Sequence, residues 1–462
     1  MSKFRPSAAS FPEPRPSRIS AVSARPAIPL HGFITPAPAP SAPRLAPDPG
    51  NPFQRLALIA VCAYLFVQLS FLHEILLIRY NLGLYLPVIT GIPALIGYLA
   101  VGGLKRSLNF SPVRYYLLFA AWLVIVIPFS AWPGGSFPVM SGFFRTQVIF
   151  LLFLSGLVYS YRDLRLVIYT VCAAGFLNVL TAEFMAKEGD RLELEAIVTI
   201  GNSNDLAAQL LMIAPLLWAA SKIRSVPFIL RWVSLGVLGM AFMVCLRTAS
   251  RGAVLAMVAG YIFVLLFSRG WQRAVLAFSV PLLFFLLLLF TPATIVSRLA
   301  TLTNDENTGS EASESRLGRT ELMKRGVVAT LRNPIFGLGP GQFSSVEGSG
   351  AYSSGRKGYW MNNHNTFLQI SSEAGLPALL FFFMSLIASW RKTASVRRRA
   401  ILHRHKELEI ISLALMLSII MFSVAAFFLT LAYRLYYPFL VGFAVALYIA
   451  AERELPQDAR VR

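Results

Sequence analysis

The sequence is divided into apolar blocks of about twenty residues, separated by short polar stretches. A helix needs about twenty apolar residues to cross ~30 Å of hydrocarbon. The pattern predicts an all-α, polytopic membrane protein of about twelve transmembrane helices. They are expected near residues 56–73, 84–104, 113–131, 147–161, 166–186, 205–221, 229–246, 252–267, 274–291, 366–390, 408–430 and 434–451. The block at 147–161 is short, so tilt or flanking residues must complete it. Composition agrees: 14% of residues are charged, against roughly 25% in soluble domains.

The net charge of +20 raises the question of nucleic acid. That partner is excluded by placement, because the basic residues lie in short connections between apolar blocks. Lys and Arg collect on the cytoplasmic side of membrane proteins. One set of connections holds Lys105, Arg106, Arg162, Arg165, Lys222, Arg224, Arg269, Arg273 and the run from Arg391 to Lys406. That face is assigned to the cytoplasm, and twelve spans put both termini there.

Residues 1–52 contain thirteen prolines and read as a disordered cytoplasmic tail. The tail has no apolar core of a cleavable signal peptide. Spans one to nine then occupy 53–291, a large outer loop 292–365, spans ten to twelve 366–451, and a short cytoplasmic tail 452–462. The three cysteines, Cys62, Cys172 and Cys245, sit inside apolar blocks and read as small core residues.

The loop 292–365 is the one extramembrane segment long enough to fold, and loops of this length are usually functional. Thr303 to Ser315 reads as flexible, and a helix is expected over 316–332 with Glu321 and Arg325 paired at i,i+4. Asn333-Pro334 stops it. Gly337-Leu-Gly-Pro-Gly341 then requires a tight turn. Asn365 can cap the helix that becomes the tenth span, and Gly375-Leu-Pro377 should kink that span.

Three outer-side groups stand out. Arg251, with Arg247, lies in the short connection between spans seven and eight. Arginine at this depth pairs with an anion, lines a wet cavity, or snorkels to a headgroup. Arg319 lies at the expected start of the loop helix, with Arg316 one turn earlier on the same face. Guanidinium forks suit phosphate, and a helix N-terminus favours anions; a solvated helix face is the plainer reading. His364 is the one histidine of the long loop. It can take a proton from a hydroxyl, or simply help to cap the helix. A fourth element, Gly201-Asn202-Ser-Asn-Asp205, precedes span six, with Asp205 either a cavity carboxylate or, preferably, an N-cap. No Asp-x-Asp and no metal-type spacing occur in the outer segments, and there is no P-loop.

Taken in order, Gly201-Asn-Ser-Asn-Asp-Leu-Ala207, Ser250-Arg-Gly-Ala253, Gly318-Arg-Thr-Glu-Leu322 leading to Asn333-Pro-Ile-Phe-Gly-Leu-Gly339, and His364-Asn-Thr-Phe-Leu368 leading to Glu373-Ala-Gly-Leu376 resemble the O-antigen ligase/polymerase superfamily. The likeness covers roughly residues 200–380, and Met323 stands where relatives often carry Trp. It implies a glycosyltransferase of GT-C kind, independent of metal and cofactor, in the inner membrane with its long loop periplasmic. The donor would be a glycan on undecaprenyl pyrophosphate, and the acceptor a hydroxyl of lipid A core or of another glycan; membrane lipids surround it. Arg251, Arg319 and His364 fall at matching positions. Arg316 and Arg247 would assist in holding pyrophosphate, with Asn202, Asp205 and Asn365 in support. A polymerase of the same superfamily is the alternative. From other classes come a transporter or flippase of lipid-linked glycan, which would carry polar residues mid-span and two similar halves, and a scaffold of an envelope-assembly complex.

Overall fold

The computed structural model of the chain describes residues 52–188, 192–194, 202–268, 270–289, 310–353 and 360–456. The proline-rich tail expected over 1–52 lies outside them but for its last residue.

The described residues are all-α apart from one short pair of antiparallel strands. The helices are α1 (Pro52–Ser70), α2 (Leu72–Tyr80), α3 (Leu86–Ala100), α4 (Gly103–Leu108), α5 (Ser111–Val126), α6 (Pro133–Phe143), α7 (Ile149–Leu157), α8 (Tyr161–Met185), α9 (Ser203–Lys222), α10 (Phe228–Arg247), α11 (Arg251–Phe267) and α12 (Trp271–Leu289). They continue as α13 (Ser310–Arg332), α14 (Phe343–Ser353), α15 (Thr366–Leu402), α16 (Lys406–Ala425) and α17 (Tyr436–Glu454). Strands β1 (Lys187–Glu188) and β2 (Leu192–Glu193) pair antiparallel after α8.

Each of the twelve expected spans falls on a helix. Seven helical stretches among the described residues are long and apolar enough to cross a membrane: Pro52–Ser70, Ser111–Phe129, Pro133–Leu157, Tyr161–Met185, Phe228–Arg247, Thr366–Leu402 and Lys406–Ala425. Three shorter apolar helices accompany them, at Leu86–Ala100, Arg251–Phe267 and Arg273–Leu282. The short block expected at 147–161 is the second half of a continuous stretch, Pro133–Leu157. Pro133 opens α6 at its first turn, where the missing N–H costs nothing. A π-helical turn at Phe144–Val148 carries α6 into α7.

Packing centres on aromatic rings. Tyr116, Phe119, Phe382 and Tyr437 are fully buried where α5, α15 and α17 meet. Tyr437 and Phe382 are 4.3 Å apart between ring centroids, and the Tyr437 hydroxyl donates to the Phe382 carbonyl. Close approach of helices rests on small residues, as is usual in membranes. At Gly97 of α3 a Cβ would lie 2.4 Å from Ala57 Cβ of α1. Cys62 and Cys245 are buried and Cys172 half-buried, all as free thiols.

Some buried polar groups bond across helices. Asn178 and Gln209 both donate to the Leu69 carbonyl, at 3.0 and 2.9 Å. That carbonyl lies at the break between α1 and α2, where Phe71 is left-handed.

Contacts gather the connections before α6, α9, α11, α15 and α17 at one end of the helices. The Ala131 amide donates to Leu338. Arg434 pairs with Asp205. The Thr366 amide donates to Ala426, and Gly252 abuts Phe428.

Candidate active site

The site is built on a helix that is broken on purpose. Within α15, Gly375 adopts φ 77° and ψ 177°, so the helix is two pieces joined at a kink. The Gly375-Leu-Pro377 signal predicts this, because Pro377 has no N–H to donate. A kink frees carbonyls, and each requires a partner. The Ser372 carbonyl accepts from the Leu338 amide and the Glu373 carbonyl from the Gly339 amide, both at 2.8 Å. The Ala374 carbonyl accepts from Trp122 Nε1 at 2.8 Å. In return the Leu376 amide donates to the Pro334 carbonyl at 2.7 Å. Three main-chain hydrogen bonds thereby clasp the segment Asn333–Gly341 to the membrane helix.

Two glycines make the clasp possible. A Cβ on Gly375 would lie 1.9 Å from the Ile335 carbonyl oxygen, and one on Gly337, at φ 67°, would lie 2.4 Å from the Glu373 carbonyl carbon. Phe336 stacks between Trp122 and Phe129, with centroids at 5.9 and 4.1 Å. The Glu373 carboxylate, fully buried, accepts from the Gly341 amide at 2.9 Å, the Phe343 amide at 3.4 Å and the Tyr433 hydroxyl at 2.9 Å.

Upstream of the clasp, α13 lies on the start of α15. Arg319, Leu322, Gly326 and Thr330 recur at helical spacing on one face. Leu322 is buried, Gly326 faces Asn363, and the Thr330 and Ser371 hydroxyls are 2.9 Å apart. The same face therefore carries Arg319 to the turn before α15. There His364 is held at φ 48°, one residue before Asn365. Asn365 caps α15 by accepting from the Phe367 and Leu368 amides, as its position predicts.

His364 Nε2 is buried and makes no hydrogen bond among the described residues. Burial first, and then the neighbouring Arg319 guanidinium, push the His364 pKa down to about 4. The imidazole is thus neutral near pH 7, with a nitrogen able to accept. The expected place of Arg319 at a helix start is corrected. Helix α13 begins at Ser310, six residues before its expected start, so Arg319 lies more than two turns inside it. A helix terminus acts over its first turn only, and Arg319 therefore owes nothing to it. Arg325 does pair with Glu321, at 3.0 Å, and also with Glu347.

Arg251 stands at the first position of α11, after Ser250 caps that helix and Ala249 turns left-handed at φ 48°. It is half-buried. Its neighbour Gly252 sits against Phe428, where a Cβ would be 2.9 Å from that side chain. The adjoining Phe427 accepts from Asn365 Nδ2 at 3.2 Å and stacks near Phe367. Arg251 and His364 therefore border the same connection, 426–435, between α16 and α17.

The remaining predicted residues divide. Asn202 caps α9 by accepting from the Asn204 amide at 2.8 Å, so the cap preferred for Asp205 belongs to Asn202. Asp205 instead pairs with Arg434 at 3.2 Å, and Tyr436 donates to its carbonyl. Arg247 pairs with Glu183 at 2.7 Å, so an anion there would share or displace that carboxylate. Arg316 lies within α13, and its side chain falls outside the described residues.

Sequence reasoning gave no site role to Arg434, Glu373 or Tyr433. Arg434 had a weak signal, a basic residue between two apolar blocks on the outer side. Glu373 had a better one, an acid inside a span, which is rarely placed there without a partner.

Comparison with known proteins finds one family over part of the chain. Residues 235–383, roughly a third of the chain, match the family model described as O-antigen ligase. The matched segment contains Arg251, Arg319, His364, the clasp and the kink, and leaves out the Asn202–Asp205 element. No curated protein matches the chain.

Proposed function

We propose, from the match of residues 235–383 to the O-antigen ligase family model, that this chain is a membrane glycosyltransferase that moves a glycan from undecaprenyl pyrophosphate to an acceptor hydroxyl of lipid A core or of another glycan. The reaction takes place at the periplasmic face of the inner membrane. The observation that carries the reading is that buried His364, with an unbonded Nε2 at the start of α15, lies within electrostatic reach of Arg319, both inside the matched segment.

The chemistry asks little beyond positioning and charge. Pyrophosphate is a good leaving group, and two guanidinium forks, Arg251 and Arg319, suit its two phosphates. They stabilise the charge that grows on it as the glycosidic bond breaks. His364, kept neutral, accepts the proton of the attacking hydroxyl. Direct displacement inverts the anomeric carbon. With arginines neutralising the pyrophosphate, the step requires no divalent ion. A bound pyrophosphate would also raise the His364 pKa and so strengthen it as a base when substrate is present.

The test is transfer by purified components. His364→Ala is expected to lower turnover about 10²–10⁴-fold. Arg319→Ala and Arg319→Lys should both be impaired, because a point charge does not replace a fork. Near-normal turnover in His364→Ala and Arg319→Ala removes the mechanism. A strain lacking the protein should accumulate long glycan chains unattached on their carrier. Single repeats attached to the acceptor would instead assign the polymerase activity of the same superfamily.

A further inference from the structure

At the end of the helices opposite His364 lies a cavity of about 560 Å³ with no part in the transfer chemistry. It sits between the start of α1, the connection from α7 to α8, and the end of α17. Arg453, on its wall, lies about 25 Å along the axis of α17 from Tyr436, which opens that helix beside Asp205.

Its lining is strongly unbalanced. Arg55, Arg162, Arg165 and Arg453 contribute four guanidinium groups, against one carboxylate, Asp163. That carboxylate is already engaged, since Asp163 accepts from the Tyr159 and Ser160 amides at 3.0 Å and closes the capping box of α8. Asp163 offsets only one of the four positive charges, so the lining stays net positive. Leu58 and Ile59 make the same wall apolar on the α1 side. Beyond them α1 exposes Phe53 and Leu56, at 71% and 64%, where a bilayer would meet it.

A net positive chamber with an apolar flank matches an amphiphile that carries a negative head. Basic pockets between transmembrane helices take anionic headgroups in this way. The volume is far greater than one phosphate group needs and falls in the range of ligand sites. The chain's own N-terminal tail is a poor occupant. Its first 51 residues carry six Lys and Arg against two acids, so the arginines would repel it.

We propose that this cavity binds the phosphate-bearing headgroup of an anionic membrane phospholipid, with Arg162 and Arg453 as the principal contacts. The proposal is independent of the transfer reaction.

The test uses the purified full-length chain, stripped of lipid, with bound lipid counted by native mass spectrometry. Phosphatidylglycerol should bind saturably and phosphatidylcholine should not. The pair Arg162→Ala with Arg453→Ala should weaken phosphatidylglycerol binding about thirtyfold. The pair Arg162→Lys with Arg453→Lys should stay within a few-fold of the native protein, since charge rather than fork geometry is at stake. Arg162→Glu alone, at an exposed position, reads the same effect without disturbing the helices. Equal binding of both lipids, or native binding by Arg162→Glu, overturns the proposal. So does inorganic phosphate that occupies the site and displaces the lipid, which would assign a soluble phosphate compound instead.

Discussion

The Leu376 amide donates to the Pro334 carbonyl at 2.7 Å, across the point where α15 kinks at Gly375. This bond and its two neighbours hold the long loop to a membrane helix, and they set the distance between α13 and the turn that bears His364. Gly375 is the position on which they depend.

Gly375→Ala should therefore be among the most damaging small substitutions in the chain. The new Cβ meets the Ile335 carbonyl at 1.9 Å, at a φ that side chains rarely adopt. The expected loss is about 3 kcal/mol or more, from strain and a broken clasp together. It is read as a lowered thermal midpoint in detergent. An unchanged midpoint would show that the clasp adapts.

The His364 pKa of about 4 predicts the acid limb of the reaction. An unperturbed imidazole would protonate near pH 6.5. Here the neutral, active form should persist well below that, and kcat/KM should fall only as pH drops towards 4. The sign for stability is the same. The folded chain binds the proton less readily than the unfolded one, so this group's contribution is complete above about pH 6.5 and is lost as pH falls from there through 4. Arg319→Gln removes the smaller of the two causes and should move the limb upward by part of the difference. A limb near pH 6.5 in the native protein would contradict the burial of His364.

Glu373 is the hub of the loop's other attachment. Glu373→Gln puts an amide donor among three donors and should cost about 1–3 kcal/mol. Tyr433→Phe removes one of the three bonds and should cost about 1 kcal/mol. Both are followed by thermal unfolding, with transfer assayed below the midpoint. If Glu373→Gln is neutral, the carboxylate does not organise the turn at Gly341.

The Asp205–Arg434 pair, half-buried at 17% and 34% exposure, ties α9 to the connection before α17. A double-mutant cycle with Asp205→Asn and Arg434→Gln should give a coupling of about 0.5–1 kcal/mol, as partly solvated pairs do. A coupling near zero would leave the pair as two separately solvated groups.

Local features were legible in the sequence. The twelve apolar blocks each became a helix, because block length and hydropathy are properties of a short stretch. The cap at Asn365, the kink at Gly375 and the Glu321–Arg325 pair were legible for the same reason. What escaped was set by partners far along the chain. Glu373 is held by groups 32, 30 and 60 residues away. Arg434 finds Asp205 across 229 residues. The start of α13 was misplaced because Ser310–Ser315 is rich in Ser and Glu, which read locally as loop. Pro133 and Pro138 hid the first half of a span, although one opens the helix and a π turn follows the other. The candidate site was read from the order of four short motifs. The nearness of Arg319 to His364 was not read directly, because it depends on which face of α13 meets α15.

The clasp has a consequence for how such a protein can diverge. The ribbon's bonds to α15 are made by its own main-chain atoms, so apart from the glycines and the stacked Phe336 the side chains of Asn333–Gly341 do not hold it shut. Drift along that ribbon can reshape what an incoming sugar meets while the spacing between the guanidinium and the imidazole stays constant. One reactive frame could in this way serve many acceptors.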